Sequence, residues 1–153
     1  MSQFMALILC WSLLSFSAGA PAVEVGEVFT GDVNTYEGVT MTVVEDSATP
    51  DGIRVEVLNT TAKAIESGNA GDFSVQAELG GQWYELETLE DTYANTAEAY
   101  MYRTGVPREL DLNWTYFYGS LPAGHYRVIK WFSEYRGPGD ATDFLLASEF
   151  ILE

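Results

Sequence analysis

Between residues 116 and 130 the chain writes a turn and a strand back to back: Tyr-Phe-Tyr-Gly-Ser-Leu-Pro-Ala-Gly-His-Tyr-Arg-Val-Ile-Lys. Leu121-Pro122-Ala123-Gly124 is a turn, since proline presets φ and glycine is expected in the left-handed position. A strand follows at once. It places Tyr126 and Val128 on one face and Arg127 and Ile129 on the other. A tyrosine just inside such a strand can return its hydroxyl to the turn backbone, which pins the corner where two sheets meet. Tyr126 is therefore expected to be buried, and the other strands to pack around this one.

The rest of the chain supplies those strands. Val39, Met41 and Val43 alternate with Thr40 and Thr42. Ile53, Val55 and Val57 alternate with Arg54 and Glu56 after a Thr49-Pro50-Asp51-Gly52 turn, so the two runs form a hairpin. A short strand is expected around residues 64–66. Residues 73–79 alternate without a break, Gly80-Gly81 turns the chain, and residues 82–87 return with Trp83, expected in or beside the core. Residues 88–95 read as an acidic loop and 97–102 as a strand, because Tyr100 and Tyr102 favour extended chain over helix. Leu110, Leu112 and Trp114 form another half-buried strand. The strand after the Pro-Gly turn runs from 125 to about 133, residues 136–140 form a loop, and 144–152 form the last strand. Seven to nine strands with frequent turns and no helix make an all-β antiparallel sandwich.

Residues 4–16 are almost wholly apolar, and Ser17, Ala18, Gly19, Ala20, Pro21 and Ala22 follow. This is the layout of a secretory signal over residues 1–22, cut after Ala22, with an uncleaved anchor as the alternative. Residues 23–35 read as a linker or a first edge strand, and 36–153 as the sandwich domain. Cys10, the single cysteine, lies in the leader, so the mature chain holds neither a disulfide framework nor a cysteine metal site. Twenty-three acidic side chains against seven basic ones, formally −16, exclude nucleic acid as a partner and oppose an anionic membrane surface. The charge favours solubility, or a cationic partner.

Several stretches resemble the bacterial immunoglobulin-like domains found mainly in exported or membrane-attached proteins of Gram-positive bacteria. They are Asn59 after a Val-Leu strand end, Gln82-Trp83-Tyr84 after the Gly-Gly turn, residues 110–114, residues 118–130, and Glu149-Phe150-Ile151. The resemblance runs from about Thr40 to Ile151. It implies an immunoglobulin-like β-sandwich in an extracytoplasmic setting, and it implies no reaction, no cofactor and no shared catalytic residue.

The residues themselves point the same way. His125, the only histidine, stands on the turn with no Gly-x-Ser-x-Gly nucleophile elbow beside it. Carboxylate pairs (Glu45 with Asp46, Glu85 with Glu87, Glu90 with Asp91, Asp140 with Asp143) are too common in so acidic a chain to mark a hydrolase. Residues 32–38 faintly follow a calcium loop, but Tyr36 stands where an acid belongs. Asn59-Thr-Thr61 and Asn113-Trp-Thr115 match the glycosylation pattern. Trp114, Tyr116 and Tyr118 would share one face of an extended chain, and exposed aromatic rows bind sugars or peptides by stacking. These three form the candidate binding patch; the competing reading has them closing one end of the core. The expectation is a non-catalytic, secreted or envelope-located module that binds an unknown protein or glycan, or serves as structure there. No membrane contact is expected in the mature form. An extracytoplasmic sensor subunit and, below it, a carboxylate-pair hydrolase are the alternatives.

Overall fold

The computed structural model describes residues 23–89 and 98–153. The expected leader at 1–22 and most of the acidic loop expected at 88–95 lie outside these residues. Ten strands and one helical turn are found among them: β1 (Val25–Val28), β2 (Val39–Val43), β3 (Gly52–Asn59), β4 (Ile65–Ser67), β5 (Ser74–Leu79), β6 (Gln82–Leu86), β7 (Tyr100–Tyr102), β8 (Arg108–Asn113), α1 (Thr115–Tyr118), β9 (Gly124–Gly137) and β10 (Asp140–Leu152). The pairings are antiparallel. The smaller sheet has the order β2-β3-β8; the larger runs β1-β6-β5-β9-β4-β7, with β10 on the other edge of β9.

β9 is the axis of this arrangement. One of its edges is divided: β5 pairs along residues 126–129 and β4 along 132–134. The other edge carries β10 from Gly124↔Leu152 to Gly137↔Asp140. Its inward side chains, Tyr126, Val128 and Phe132, meet Val75 and Leu146 of the same sheet and Val55, Val57 and Leu112 of the smaller one. Most are under 2 % exposed, and each such apolar side chain contributes about 1.5–3 kcal/mol. Lys130 shares that inward side, held at 1 % exposure by three backbone carbonyls: Asn69 at 2.7 Å, Asp72 at 2.8 Å and Gly68 at 3.1 Å. Burial draws its amine down to about pKa 8, against the pull of the nearby Asp72 carboxylate. The lysine thereby fixes the loop between β4 and β5 to the sandwich.

The corner at the start of β9 has the expected bond. Tyr126 is 4 % exposed and its hydroxyl donates to the Pro122 carbonyl at 2.8 Å. The glycine works differently from expectation. Gly124 is absent from the positive-φ residues; a Cβ there would meet the Tyr126 ring at 3.1 Å. A side chain at this position would crowd the tyrosine ring that folds back over it. Residues 115–118 also depart from expectation: they form α1, not a loop or extended chain. The Asn113 carboxamide oxygen accepts from the Thr115 N–H at 3.1 Å and its hydroxyl at 2.6 Å, which starts the turn that Trp114 then caps.

Candidate functional site

The outward side chains of β9 are His125, Arg127, Ile129, Trp131, Ser133 and Tyr135. In its first half this row is covered. The Phe29 N–H donates to the Trp83 carbonyl at 2.7 Å, and the Arg127 guanidinium lies 5.2 Å from the Phe29 ring and 4.4 Å from the Trp83 ring. Five residues later Asn34 reaches the free edge of β10. Its carboxamide bonds both backbone groups of Ala147, at 2.9 and 3.1 Å, and its own N–H donates to Leu145 at 2.9 Å. Residues 29–34 thus cross the sheet from β6 to β10. Asn34 adopts φ 59°, which asparagine tolerates.

Beneath and beside this strap the polar groups are mutually satisfied. Arg127, 7 % exposed, donates to the Gln76 oxygen at 2.7 Å, and the Gln76 amide donates to Glu85 at 2.5 Å. Burial pulls the guanidinium pKa down, while Glu149 and Glu85 pull it up. His125 stands edge-on to Trp83 at 5.2 Å, with Glu149 at 3.5 Å and Glu78 at 3.8 Å. Trp83 therefore lies outside the core, on the outer face. The parity of β6 decides this, because Leu86 lies in the core and Trp83, three positions earlier, falls on the opposite face. Ile129 is 5 % exposed without belonging to the core, and it pairs with the Ala147 that Asn34 holds.

In the second half of the row the two aromatic rings are exposed, while Ser133 between them is 2 % exposed. Trp131 is 45 % exposed and Tyr135 40 %. Between them Ser133 sits in a cross-strand row that runs Met101, Glu66, Ser133, Asp143. Leu145 faces Trp131 and Ala141 faces Tyr135 across the β9–β10 pair. Met101 is 48 % exposed. The result is an apolar sheet face with a carboxylate on either side of its centre. The sequence held a signal for it: in the second half of β9 the aromatic residues Trp131 and Tyr135 fall at odd positions, on the side opposite the core.

The residues singled out from sequence have other fates. Trp114 is fully buried, stacked on Phe150 at 5.4 Å, with its indole N–H on the Pro50 carbonyl at 2.7 Å. Tyr118 is 7 % exposed and its hydroxyl accepts from the Val75 N–H. Tyr116, at 57 % exposure, is the member of the three at the surface, so the helical turn gives them no common exposed face. Asn59 is fully buried, bonding the Lys63 and Tyr102 carbonyls and the Thr61 N–H, which locks the chain leaving β3 and removes it as a glycosylation acceptor. Asp140 pairs with Arg136 at 3.0 Å, apart from Asp143 on the open face. No group of three His, Cys, Asp or Glu able to hold a metal occurs among the described residues. An open depression of about 410 Å³ lies at the β2–β3 connection, walled by Glu45, Asp46, Asp51, Arg54 and Asp111.

Almost all the cations are engaged by groups of the chain itself. Arg54 pairs with Asp111 at 2.9 Å, Lys63 and Arg136 with Glu134 at 3.3 and 3.1 Å, and Arg108 lies 3.9 Å over the Tyr100 ring. Together with Arg127 and Lys130 that engages six of the seven basic side chains, so the carboxylates dominate the field outside.

A family model described as a bacterial Ig-like domain matches residues 35–150. Comparison with curated proteins and with solved structures gives no match. The matched region starts where the strap ends: β1 and residues 29–34 lie before it, and the open face of β9 lies within it.

Proposed function

The chain belongs to the bacterial Ig-like domain family, which is generally non-catalytic, and from that premise we propose an exported binding or structural module of the bacterial cell envelope. The observation that carries this reading is the use made of the reactive side chains. His125 sits between two carboxylates on a sheet face, and Lys130 and Arg127 are consumed in holding loops and rings. What stands exposed is a pair of aromatic rings, Trp131 and Tyr135, on the outer sheet face, which suits contact with another molecule. The apolar run at residues 4–16 followed by small residues supports export, and no helix among the described residues is long and apolar enough to cross a membrane.

Fractionation of a bacterial host expressing the full chain, with intact-mass measurement of the product, tests the reading. The expected result is a chain beginning near Val23 in the envelope or medium. A cytosolic protein that keeps Met1 would overturn export. A membrane-bound chain with Met1 would replace secretion by anchoring.

A further inference from the structure

We infer that the open half of the β9 outer face docks a basic polypeptide segment, with Trp131 and Tyr135 taking its side-chain stems and Glu66 and Asp143 its charges. The inference rests on the binding-module reading and names its partner. Trp131, Tyr135 and Met101 are each at least 40 % exposed on one face, next to Leu145. Such a face, left uncovered beside a half that the chain covers itself, is where a partner is expected. Charge selects the partner. The cross-strand row through Ser133 puts Glu66 and Asp143 on its two flanks, and no basic residue lies in that row. The two basic residues that flank Ser133 in sequence are turned elsewhere, Lys130 inward to the carbonyls of Gly68, Asn69 and Asp72 and Arg136 to Glu134, Asp140 and Thr142. An indole and a phenol ring beside carboxylates attract a lysine ammonium or an arginine guanidinium by ring quadrupole and charge together.

A second copy of the chain is the wrong occupant. Two chains of formal charge −16 would bring the same carboxylates face to face. A neutral glycan could use the rings and would leave the carboxylates without counter-charge.

The purified protein titrated with decalysine, and separately with a neutral glucose hexasaccharide, is followed by amide chemical-shift changes. Decalysine is expected to bind with shifts centred on Trp131, Ser133, Tyr135 and Asp143, and to weaken steeply with salt. Trp131→Ala should weaken binding about tenfold, and Trp131→Phe less, as expected for a desolvated cation–ring contact. Glu66→Gln with Asp143→Asn should weaken it about tenfold and flatten the salt dependence. Glu37→Gln with Glu45→Gln, an equal charge change elsewhere, should leave it within about twofold. Dispersed amide spectra check that each variant is folded. Equal losses in both carboxylate pairs, no loss on Trp131→Ala, absence of decalysine binding, or hexasaccharide binding at these residues instead would each overturn the proposal. None of these outcomes bears on export, which the fractionation decides by itself.

Discussion

Arg127 and Trp131 leave β9 on the same side and meet opposite surroundings. Arg127 lies between two aromatic rings and is 7 % exposed, whereas Trp131 is 45 % exposed. Strand parity cannot distinguish them. The difference is made by residues 29–34, which cross the sheet over the first position and reach the β10 edge at Ala147, short of the second. A side chain on the outer face of a sheet becomes interior or surface according to what the chain lays across it. Here the cover comes from outside the region matched to the family, and the uncovered half from inside it.

The scale for testing this contrast is set by the inward side of the same strand. Tyr126→Ala should be the most damaging change, about 3–5 kcal/mol, because it empties a site packed against Phe150 and Val128. Tyr126→Phe removes the bond to Pro122 and leaves that carbonyl short, at about 1–3 kcal/mol. Urea unfolding of both variants gives the comparison. An Arg127→Ala variant less stable than Tyr126→Ala would mean that the strand turns its other side to the core.

Arg127→Ala comes next, at about 2–3 kcal/mol, from one charged hydrogen bond to Gln76 and the loss of a cation between two rings. The strap is the claimed cause, so the two should couple. Phe29→Ala and Arg127→Ala combined should fall short of additivity by about 0.5 kcal/mol or more in a double-mutant cycle. Strict additivity would show that the strap does not bear on Arg127, and the contrast between the halves would lose its explanation.

The inward half of this molecule is legible in the sequence and the outward half is not, for a physical reason. Alternation reports which residues share a face, and Leu-Pro-Ala-Gly before Tyr126 reports which face is the inner one. Tyr126, Val128 and the hairpin of β2 and β3 follow from those two facts. Alternation is silent about a covering segment. Residues 23–35 have no period, because a strap contacts the sheet through isolated residues such as Phe29 and Asn34. Trp83 is misplaced by the same blindness, since a tryptophan under a strap is patterned like one in a core. The row of Trp114, Tyr116 and Tyr118 misleads for a local reason. The Asn113 carboxamide bends the chain into a helical turn, and a spacing of two then separates side chains instead of aligning them. Lys130 at an inward position is hidden too, because nothing in its neighbourhood in the sequence announces the carbonyls at 68, 69 and 72.

The smallest effect belongs to the open half. Trp131→Ala should cost less than about 1 kcal/mol, since the side chain is nearly half exposed and the loss is mostly strand propensity and contact with Leu145. Trp131→Tyr keeps an aromatic ring at the position and should be within about 0.5 kcal/mol of the parent, which separates propensity from burial. Both numbers come from the same urea series as Arg127→Ala. Their meaning lies in the ratio. If the tryptophan is free, removing it should disturb stability several times less than removing the arginine four positions earlier, although it is the larger and more apolar side chain. Size and apolarity alone would order the two the other way, whereas burial orders them as expected here. A Trp131→Ala loss equal to that of Arg127→Ala would mean that this ring is covered in solution as Arg127 is, and a basic segment would then have no surface to occupy.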